Sequence, residues 1–232
     1  MSRDAARLEE NAASLTARRQ VAAEVLAADL TVDDEVTRVA TRLAGEPRLT
    51  LLVNNAGFGA AGRLAMADPE RQEAMVRLHV LAPIRLTLAA LPVLLRNRRG
   101  AVINVSSIAS FIYSAGNANY SATKAYLTTL TEGLAAELTG TGVQAQALCP
   151  GFTRSEFHLR MQAPPGEAPP GEAPGFMWMS AASVVRASLR SLDRRGPVVC
   201  VPGPGYKALV LLMRLLPRRA IGWVASRRRR RM

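Results

Sequence analysis

The sequence predicts an α/β fold in which a parallel β-sheet is covered by helices on both faces. Apolar, β-branched runs of five or six residues alternate along the chain with longer stretches of helical periodicity. Because parallel strands need a crossover connection between them, this alternation is typical of a parallel sheet. The 232 residues are 49% hydrophobic and 21% charged, which indicates a substantial globular domain rather than a disordered chain.

The elements follow from these runs in order. Strands are predicted over Glu24–Ala28, Leu49–Val53, Ala101–Val105, Val143–Leu148 and Pro197–Val201. Helices are predicted over 5–19, 33–44, 68–98, 117–140 and 180–192. The third helix begins at Asp68, since this side chain can cap the helix and Pro69 fits the first helical position. The fourth helix carries one apolar stripe, formed by Leu127, Leu130, Leu134 and Leu138.

Two regions depart in composition from the rest of the predicted domain, which spans 1–205. Residues 164–173 read Pro-Pro-Gly-Glu-Ala twice, and a loop is predicted over 163–175 because such a segment forms no regular hydrogen-bond ladder. Residues 206–232 contain an apolar helix, Tyr206–Leu216, followed by an arginine-rich tail. The helix is expected to pack on the domain or on a partner subunit, or to contact a membrane interface.

The net charge of +12 arises mainly at the end of the chain. The last 19 residues contain no acidic residue and eight arginines, which are Arg214, Arg218, Arg219 and Arg227 to Arg231. A charge concentrated in this way indicates a basic tail rather than a basic domain. The tail is either solvated or in weak contact with an anionic membrane surface. No nucleic-acid partner is expected, because aromatic residues are not interleaved with the arginines.

The two cysteines, Cys149 and Cys200, lie far apart and lack the spacing of metal ligands, so no metal site is predicted. Cysteines used in this way suit a reducing compartment, and the first twenty residues are too polar for a secretory signal. The sequence contains no run of 18 apolar residues, so no membrane span is predicted. A cytoplasmic location is therefore expected.

The stretch Gly57-Phe-Gly-Ala-Ala-Gly62 matches the G-x-G-x-x-G spacing of dinucleotide-binding loops and follows a predicted strand. In such loops a helix begins within the glycine run, so that its N-terminal amides face the pyrophosphate. Here the next predicted helix begins only at Asp68. The match is interpreted as coincidental, with glycines that allow a turn where the backbone approaches a ligand or a neighbouring strand.

Tyr120 and Lys124 lie one turn apart on the same face of a predicted helix, with about 5–6 Å between their Cβ atoms. An ammonium group held there is expected to lower the pKa of the phenol from its ordinary value of about 10. Such a phenol exchanges a proton with a carbonyl or alcohol oxygen, and a nearby serine can hydrogen-bond to the same oxygen. Because this spacing is common in ordinary helices, the pair alone does not establish a site.

Four polar clusters fall at the ends of predicted strands or at the starts of the helices that follow them. They are Val-Asn-Asn-Ala-Gly (53–57), Asn-Val-Ser-Ser (104–107), the segment from Tyr120 to Lys124, and Cys-Pro-Gly-Phe-Thr (149–153). Open α/β sheets bind ligands at this edge. In these motifs the chain resembles a short-chain dehydrogenase/reductase, and the resemblance extends from about residue 3 to about residue 205.

The resemblance implies a Rossmann-type, doubly wound parallel sheet that binds NAD(H) or NADP(H). It implies that Tyr120 is the catalytic acid and base, that Lys124 lowers its pKa and holds the ribose hydroxyls, and that Ser107 orients the substrate oxygen. The other residues implied along the cofactor are Asn55, Ala56 and Gly57 beside it, Asp29 and Leu30 facing the adenine, and Pro150, Gly151 and Thr153 flanking the nicotinamide.

The chain departs from the family pattern at its start. The first strand of the family, its glycine-rich loop and the helix after it are missing, which is roughly one βαβ unit or about 30 residues. Loss of a central strand is expected to expose two sheet edges and an apolar slot. Two explanations stay open: the assigned start is an internal codon of a longer protein, or the chain is a genuine truncated product that binds dinucleotide poorly or not at all.

Two further positions bear on the site. His79 stands where many members have an asparagine that helps to hold a proton-relay water. It is therefore either a relay residue or a histidine merely accommodated in a buried helix. Arg3 occupies the place of a basic residue that commonly grips the 2′-phosphate of NADP, so NADP(H) is expected in preference to NAD(H).

The leading hypothesis is an NAD(P)(H)-dependent oxidoreductase that interconverts a carbonyl and a secondary alcohol. The alternative is a catalytically weak or silent member that acts through subunit or membrane-surface contacts. A homodimer or homotetramer is implied by the resemblance, with the 68–98 and 117–140 helices pairing across subunits. The four residues Phe176 to Met179 indicate either an apolar substrate or a lid anchored to the core.

Overall fold

The computed structural model describes residues 4–60, 62–112, 116–159 and 174–215. Within these ranges the helices are α1 (Ala5–Arg19), α2 (Asp33–Ala44), α3 (Pro69–Val76), α4 (Ala82–Asn97), α5 (Ala118–Glu137), α6 (Glu156–Leu159), α7 (Ala181–Asp193) and α8 (Pro204–Leu215). The strands are β1 (Leu51–Asn54), β2 (Gly100–Val105), β3 (Val143–Leu148), β4 (Thr153–Arg154), β5 (Met179–Ser180) and β6 (Val199–Cys200). Short 3₁₀ segments cover Leu64–Met66, Ile108–Phe111 and Gly175–Met177, and a π-helical turn, Arg77–Leu81, joins α3 to α4.

The main sheet of the described residues is parallel, in the order β1-β2-β3-β6. Asn54 at the end of β1 lies beside Asn104 of β2, and Val105 lies beside Leu148 at the end of β3. The carboxyl ends of these strands therefore lie along one edge of the sheet, where such folds bind ligands. The predicted parallel sheet is confirmed, with strands at four of the five predicted positions.

The predicted strand Glu24–Ala28 is wrong, because these residues form no strand in the structure. An extended run becomes a strand only when a neighbour completes its hydrogen-bond ladder. In the described part of the chain, β1 pairs with β2 alone, and no strand lies beside 24–28. Ala28 and Leu30 are nevertheless buried, and both pack in the cluster that contains Leu86 of α4. Packing against helices therefore satisfies the apolar character that predicted a strand.

The predicted helices are confirmed to within a few residues, and Asp68 caps α3 by accepting a hydrogen bond from the Glu70 N–H at 3.1 Å. The continuous helical stretch Pro69–Asn97 is long and apolar enough to cross a membrane, with a mean hydropathy of 1.8 in its most apolar window. However, 44% of that window is buried inside the fold. The stretch packs on α2, β1 and β2, as a core helix does.

Three apolar clusters in the described part of the chain support the sheet, and the smallest joins Ile103 and Leu148 to Val184 of α7. The largest lies between the sheet and the helices α2 and α4, and it includes Val39, Leu94 and Val102. A second cluster contains Cys149 after β3 together with Tyr206 of α8. The apolar helix predicted over Tyr206–Leu216 is thus present and packs on the domain. Most of the predicted loop at 163–175 and all the arginines after Leu215 lie outside the described residues.

Candidate active site

Buried polar side chains join the carboxyl ends of β1 and β2 to the neighbouring helices. The Asn54 amide donates hydrogen bonds to Asn104 Oδ1 at 2.8 Å and to Thr87 Oγ1 at 3.2 Å. The Asn104 amide in turn donates to Thr131 Oγ1 at 2.9 Å. All four side chains are buried. Because a buried polar network whose members are all hydrogen-bonded favours a single arrangement, these side chains fix α4 and α5 against the strand ends.

Lys124 and Ser106 fasten α5 to the end of β2. The Ser106 hydroxyl donates to the Lys124 carbonyl oxygen at 2.8 Å, and the Lys124 Nζ donates to the Val105 carbonyl oxygen at 2.8 Å. The Lys124 side chain is buried, and this burial lowers its pKa to about 8, because the charged form loses solvation. The amino group therefore has a fixed position beside the strand end.

Tyr120 lies in the first turn of α5, and its ring is bordered by other rings. The Phe157 and His79 ring centroids each lie 5.8 Å from the Tyr120 centroid, and Lys124 Nζ lies 5.7 Å from it. Burial raises the pKa of the Tyr120 phenol to about 12, and a hydrogen bond with the Ser107 side chain opposes this rise. The expectation that Lys124 lowers this pKa is therefore wrong. The amino group is directed at the Val105 carbonyl, and loss of phenolate solvation dominates.

Ser107 directly follows β2 and precedes the 3₁₀ segment Ile108–Phe111. Its Oγ accepts a hydrogen bond from the Ala109 N–H at 3.1 Å, so the hydroxyl oxygen is held in place. The hydroxyl proton is then available for Tyr120 or for a substrate oxygen. The structure thus brings together Ser107, Tyr120 and Lys124, the three residues whose association the motifs predicted.

His79 is buried in the π-helical turn and is bonded through both ring nitrogens. Nε2 accepts from the Phe58 N–H at 3.1 Å, and Nδ1 lies 3.1 Å from Thr123 Oγ1. Since Nε2 is an acceptor, the neutral ring carries its proton on Nδ1 and donates it to Thr123. The Thr123 hydroxyl donates to the Tyr120 carbonyl oxygen at 2.9 Å. Burial, and next the charge of Lys124, lowers the pKa of His79 to about 2, which keeps the ring neutral.

This bonding separates the two hypotheses for His79. Both nitrogens bind protein atoms, so the ring offers neither of them to a relay water. The imidazole instead connects the loop after β1 with the turn of α5 that carries Tyr120. The geometry therefore favours a positioning role over a proton-relay role.

The residues predicted to lie along a cofactor fall in loops, of which the one after β1 lies at this edge of the sheet. Asn55, Ala56 and Gly57 follow β1 and are exposed. Asp29 Oδ1 accepts from the Thr31 N–H at 2.9 Å and from its hydroxyl at 2.7 Å, which closes a turn before α2. The Leu30 side chain packs in the core.

The segment after β3 is shaped by a contact with α8. The Pro150 carbonyl accepts from the Ile108 N–H at 3.0 Å, and the Thr153 hydroxyl donates to the Gly151 carbonyl at 3.0 Å. A Cβ atom at Gly151 would collide with the Tyr206 ring, so glycine is required there. This segment therefore lies beside Ser107. Arg3, the remaining predicted cofactor residue, lies outside the described residues.

The glycine run 57–62 does not form a phosphate-binding loop in its described part. The helical elements that follow it are Leu64–Met66 and then α3. A Cβ atom at Gly57 would lie 2.9 Å from His79 Nε2, and Gly62, with φ +120°, donates to the Gly116 carbonyl at 2.9 Å. The glycines thus permit close approaches within the protein, in agreement with the interpretation that the match to a dinucleotide-binding loop is a coincidence.

The hydrogen-bond donors around Tyr120 and Lys124 fit the nicotinamide end of a dinucleotide cofactor. An amino group and a phenol one helical turn apart suit ribose hydroxyls, and the exposed backbone of 55–57 lies at the same strand edge. For the pyrophosphate, the described residues provide no glycine-rich turn that opens a helix. Lys124, Tyr120 and the loops after β1 and β3 would therefore hold the nicotinamide and its ribose.

Several residues of the site carry no sequence motif. Thr123 shares a helix turn with Tyr120, and this i+3 spacing was the available signal for its role. Phe157 and Tyr206 belong to segments that are distant from Tyr120 in sequence. The periodicity of a single helix or strand therefore could not indicate that they lie near the site. The Tyr206 hydroxyl accepts from the Phe152 N–H at 3.0 Å and donates to the Met177 carbonyl at 2.7 Å.

Comparison with known proteins gives a consistent result. The family model described as short chain dehydrogenase matches residues 1–164. An uncharacterized oxidoreductase of Staphylococcus saprophyticus is 32% identical over 150 residues, which are 64% of this chain and 64% of that protein. The matched region thus spans less than two thirds of the length of this curated relative.

Solved structures of similar fold cover more of the chain. The short-chain dehydrogenase from Sphingobium yanoikuyae, in complex with NADPH, superposes with a TM-score of 0.79 at 32% identity, covering 93% of this chain and 85% of that one. The bulky-bulky ketone specific alcohol dehydrogenase from Comamonas testosteroni superposes with a TM-score of 0.76 at 28% identity, covering 94% and 84%.

Proposed function

Because the chain belongs to the short-chain dehydrogenase family, we propose that it is an NAD(P)(H)-dependent oxidoreductase that interconverts a carbonyl group and a secondary alcohol. The observation that carries this proposal is the arrangement of Ser107, Tyr120 and Lys124 at the carboxyl edge of the sheet. These side chains supply a proton donor, a hydrogen-bond donor and an amino group at one place. That combination serves reactions in which charge develops on a carbonyl oxygen.

The proposed chemistry uses the protonation states that the structure favours. A bound nicotinamide cofactor supplies the hydride. Tyr120, protonated at neutral pH because burial raises its pKa to about 12, donates its proton to the substrate oxygen. Ser107 donates a hydrogen bond to the same oxygen, since its own oxygen is held by Ala109. Lys124 contributes an amino group at the strand end, where it binds ribose hydroxyls.

For the cofactor, we propose a preference for NADP(H). Arg3 supports this through its place in the sequence, next to the start of α1. The Sphingobium relative in complex with NADPH supports it by its similarity to this chain.

The protein is proposed to work in the cytoplasm, a location that its two free, buried cysteines support.

For the substrate, we propose a bulky, apolar carbonyl compound. Phe157 stands against Tyr120, and the Phe152 and Trp178 rings pack at 5.4 Å between centroids, so the segments around the site are aromatic. Met177 packs in the second core cluster, whereas Phe176 is exposed. This segment is thus anchored on one side and open on the other. The ketone-specific relative supports the same substrate class.

We also propose that subunits pair through the long helices. Leu81, Leu88 and Leu95 are exposed at intervals of seven residues along the α3–α4 stretch, and Tyr126 of α5 is exposed as well. A repeated seven-residue spacing places side chains on one face of a helix. Such a face suits a partner subunit, as a homodimer or a homotetramer requires.

The experiment measures NADPH binding and NADPH consumption with the full chain. Binding is followed by the change in nicotinamide fluorescence, and consumption by absorbance with a panel of bulky aryl ketones. We expect saturable binding and ketone-dependent consumption. A chain that binds no NADPH would instead support the alternative of a silent member acting through contacts with other subunits or membranes.

A further inference from the structure

Helix α8 presents apolar side chains on two faces. Tyr206 and Val210 are buried against the residues after β3 and anchor the helix. On the outward side, Leu211, Leu212 and Leu215 are 61%, 54% and 74% exposed. Single exposed leucines are ordinary, but three within one turn of a helix form a contiguous apolar surface that indicates a binding partner.

The sequence that contains this surface and follows it carries charges of one sign. From Pro204 to the last residue, the sequence contains Lys207 and eight arginines and no Asp or Glu. Arg214 donates to Glu132 of α5 at 3.3 Å and lies 5.0 Å from the Phe111 ring, so one acidic side chain from a neighbouring helix faces the segment. The apolar face is thus continuous in sequence with a strongly basic stretch.

We propose that the outward face of α8, defined as Leu211, Leu212 and Leu215, docks on the surface of an anionic lipid bilayer. Apolar side chains on one face of a helix insert at the headgroup boundary, and basic residues next to them bind anionic headgroups. A second copy of the chain fits less well, because it would bring two strongly basic segments together. This proposal is independent of the proposed function.

Docking through α8 has a structural link to the candidate active site. Tyr206, in the first turn of α8, binds the Phe152 N–H and the Met177 carbonyl through its hydroxyl. Its ring also packs against Gly151. The segment that follows β3 in the site is therefore fixed directly to the helix that contacts the lipid.

The test is flotation of the full chain with vesicles. We expect binding to vesicles of phosphatidylcholine with about a quarter phosphatidylserine, and little binding to phosphatidylcholine alone. Raising the salt from about 0.1 M to about 0.5 M is expected to weaken binding, since electrostatic attraction is screened. Absence of flotation with the anionic vesicles at the lower salt concentration would overturn the proposal.

A matched pair of triple variants isolates the apolar face. Leu211→Gln, Leu212→Gln and Leu215→Gln together are expected to weaken vesicle binding about tenfold or more. The control combines Leu15→Gln, Leu64→Gln and Met66→Gln, at positions that are 51%, 59% and 69% exposed elsewhere on the molecule, and is expected to bind like the parent. Circular dichroism confirms that both variants fold.

Two outcomes of this comparison would overturn the proposal. If the α8 variant binds anionic vesicles as tightly as the control, the arginines alone adsorb the protein and the leucines have no docking role. Suppose instead that neither the parent nor the variants bind vesicles, and that the parent is an oligomer which dissociates in the α8 variant. The outward face of α8 then forms a contact between copies of the chain.

Discussion

The Nε2 atom of His79 accepts a hydrogen bond from the main-chain N–H of Phe58 at 3.1 Å. Through Nδ1 and Thr123, the same ring is connected to the carbonyl oxygen of Tyr120. One buried imidazole therefore links the loop after β1 to the helix turn that carries the proposed proton donor. Because the ring is hydrogen-bonded on both sides, a substitution in the loop after β1 is expected to affect the position of the α5 turn through this ring.

Gly57→Ala tests the close packing of this ring. A Cβ atom there would lie 2.9 Å from Nε2, which no ordinary contact permits. We expect the free energy of unfolding to fall by about 1–3 kcal/mol, because the enclosed ring has little room to shift. Urea denaturation measures the change. The control is Gly133→Ala in α5, where nothing lies within 4 Å and stability is expected to rise by about 0.5–1 kcal/mol.

A double-mutant cycle assigns the Gly57 effect to His79. In a His79→Ala background the clashing ring is gone, so Gly57→Ala is expected to cost much less than in the parent. The same cost in both backgrounds would show that the penalty arises elsewhere in the loop.

His79 also predicts a loss of stability in mild acid. Its pKa is about 2 in the folded protein, against 6.5 for the ordinary group, so the unfolded state binds the proton first. The stabilisation is complete above pH 6.5 and is lost as the pH falls. Between pH 6.5 and about pH 5 the parent is expected to lose about 2 kcal/mol more than His79→Gln. Parallel pH profiles for the two proteins would contradict this.

Lys124 predicts the opposite trend in mild base. Its pKa of about 8 in the folded protein lies below the ordinary 10.5, so the unfolded state holds the proton longer. Between about pH 8 and pH 9 this difference is expected to stabilise the parent relative to Lys124→Met by on the order of 1 kcal/mol, as measured by urea denaturation. Unfolding also releases the protons of Cys149 and Cys200, whose pKa values are raised, and this opposes the rise in both proteins, so the quantity compared is the difference in their stability. A difference that does not change with pH would contradict the expectation.

The sequence predicted the architecture well, because it depends on patterns within single segments. Alternating apolar runs located β1, β2 and β3, and the motif at Asp68 and Pro69 located the start of α3. The strand predicted over Glu24–Ala28 failed for a reason that no local pattern contains. A strand needs a neighbour, and residues 24–28 have none within the described part of the sheet.

The candidate site also has features that the sequence predicted and features that it could not predict. Motifs identified Ser107, Tyr120 and Lys124, which the fold brings together. They did not reveal the direction of the pKa shift at Tyr120, because that depends on burial by residues such as Phe157, distant in sequence. They also left the role of His79 open, since only the tertiary structure shows which atoms its two nitrogens bind.

The central claim is that the Tyr120 phenol donates the proton that completes carbonyl reduction. The most direct test compares the parent, Tyr120→Phe and the control Tyr126→Phe in NADPH consumption with a bulky aryl ketone. Tyr126 is on the same helix and is exposed, so its change is expected to leave the rate as in the parent. We predict that Tyr120→Phe lowers the rate at saturating NADPH by about 100-fold or more. Equal rates in the parent and Tyr120→Phe would contradict the account.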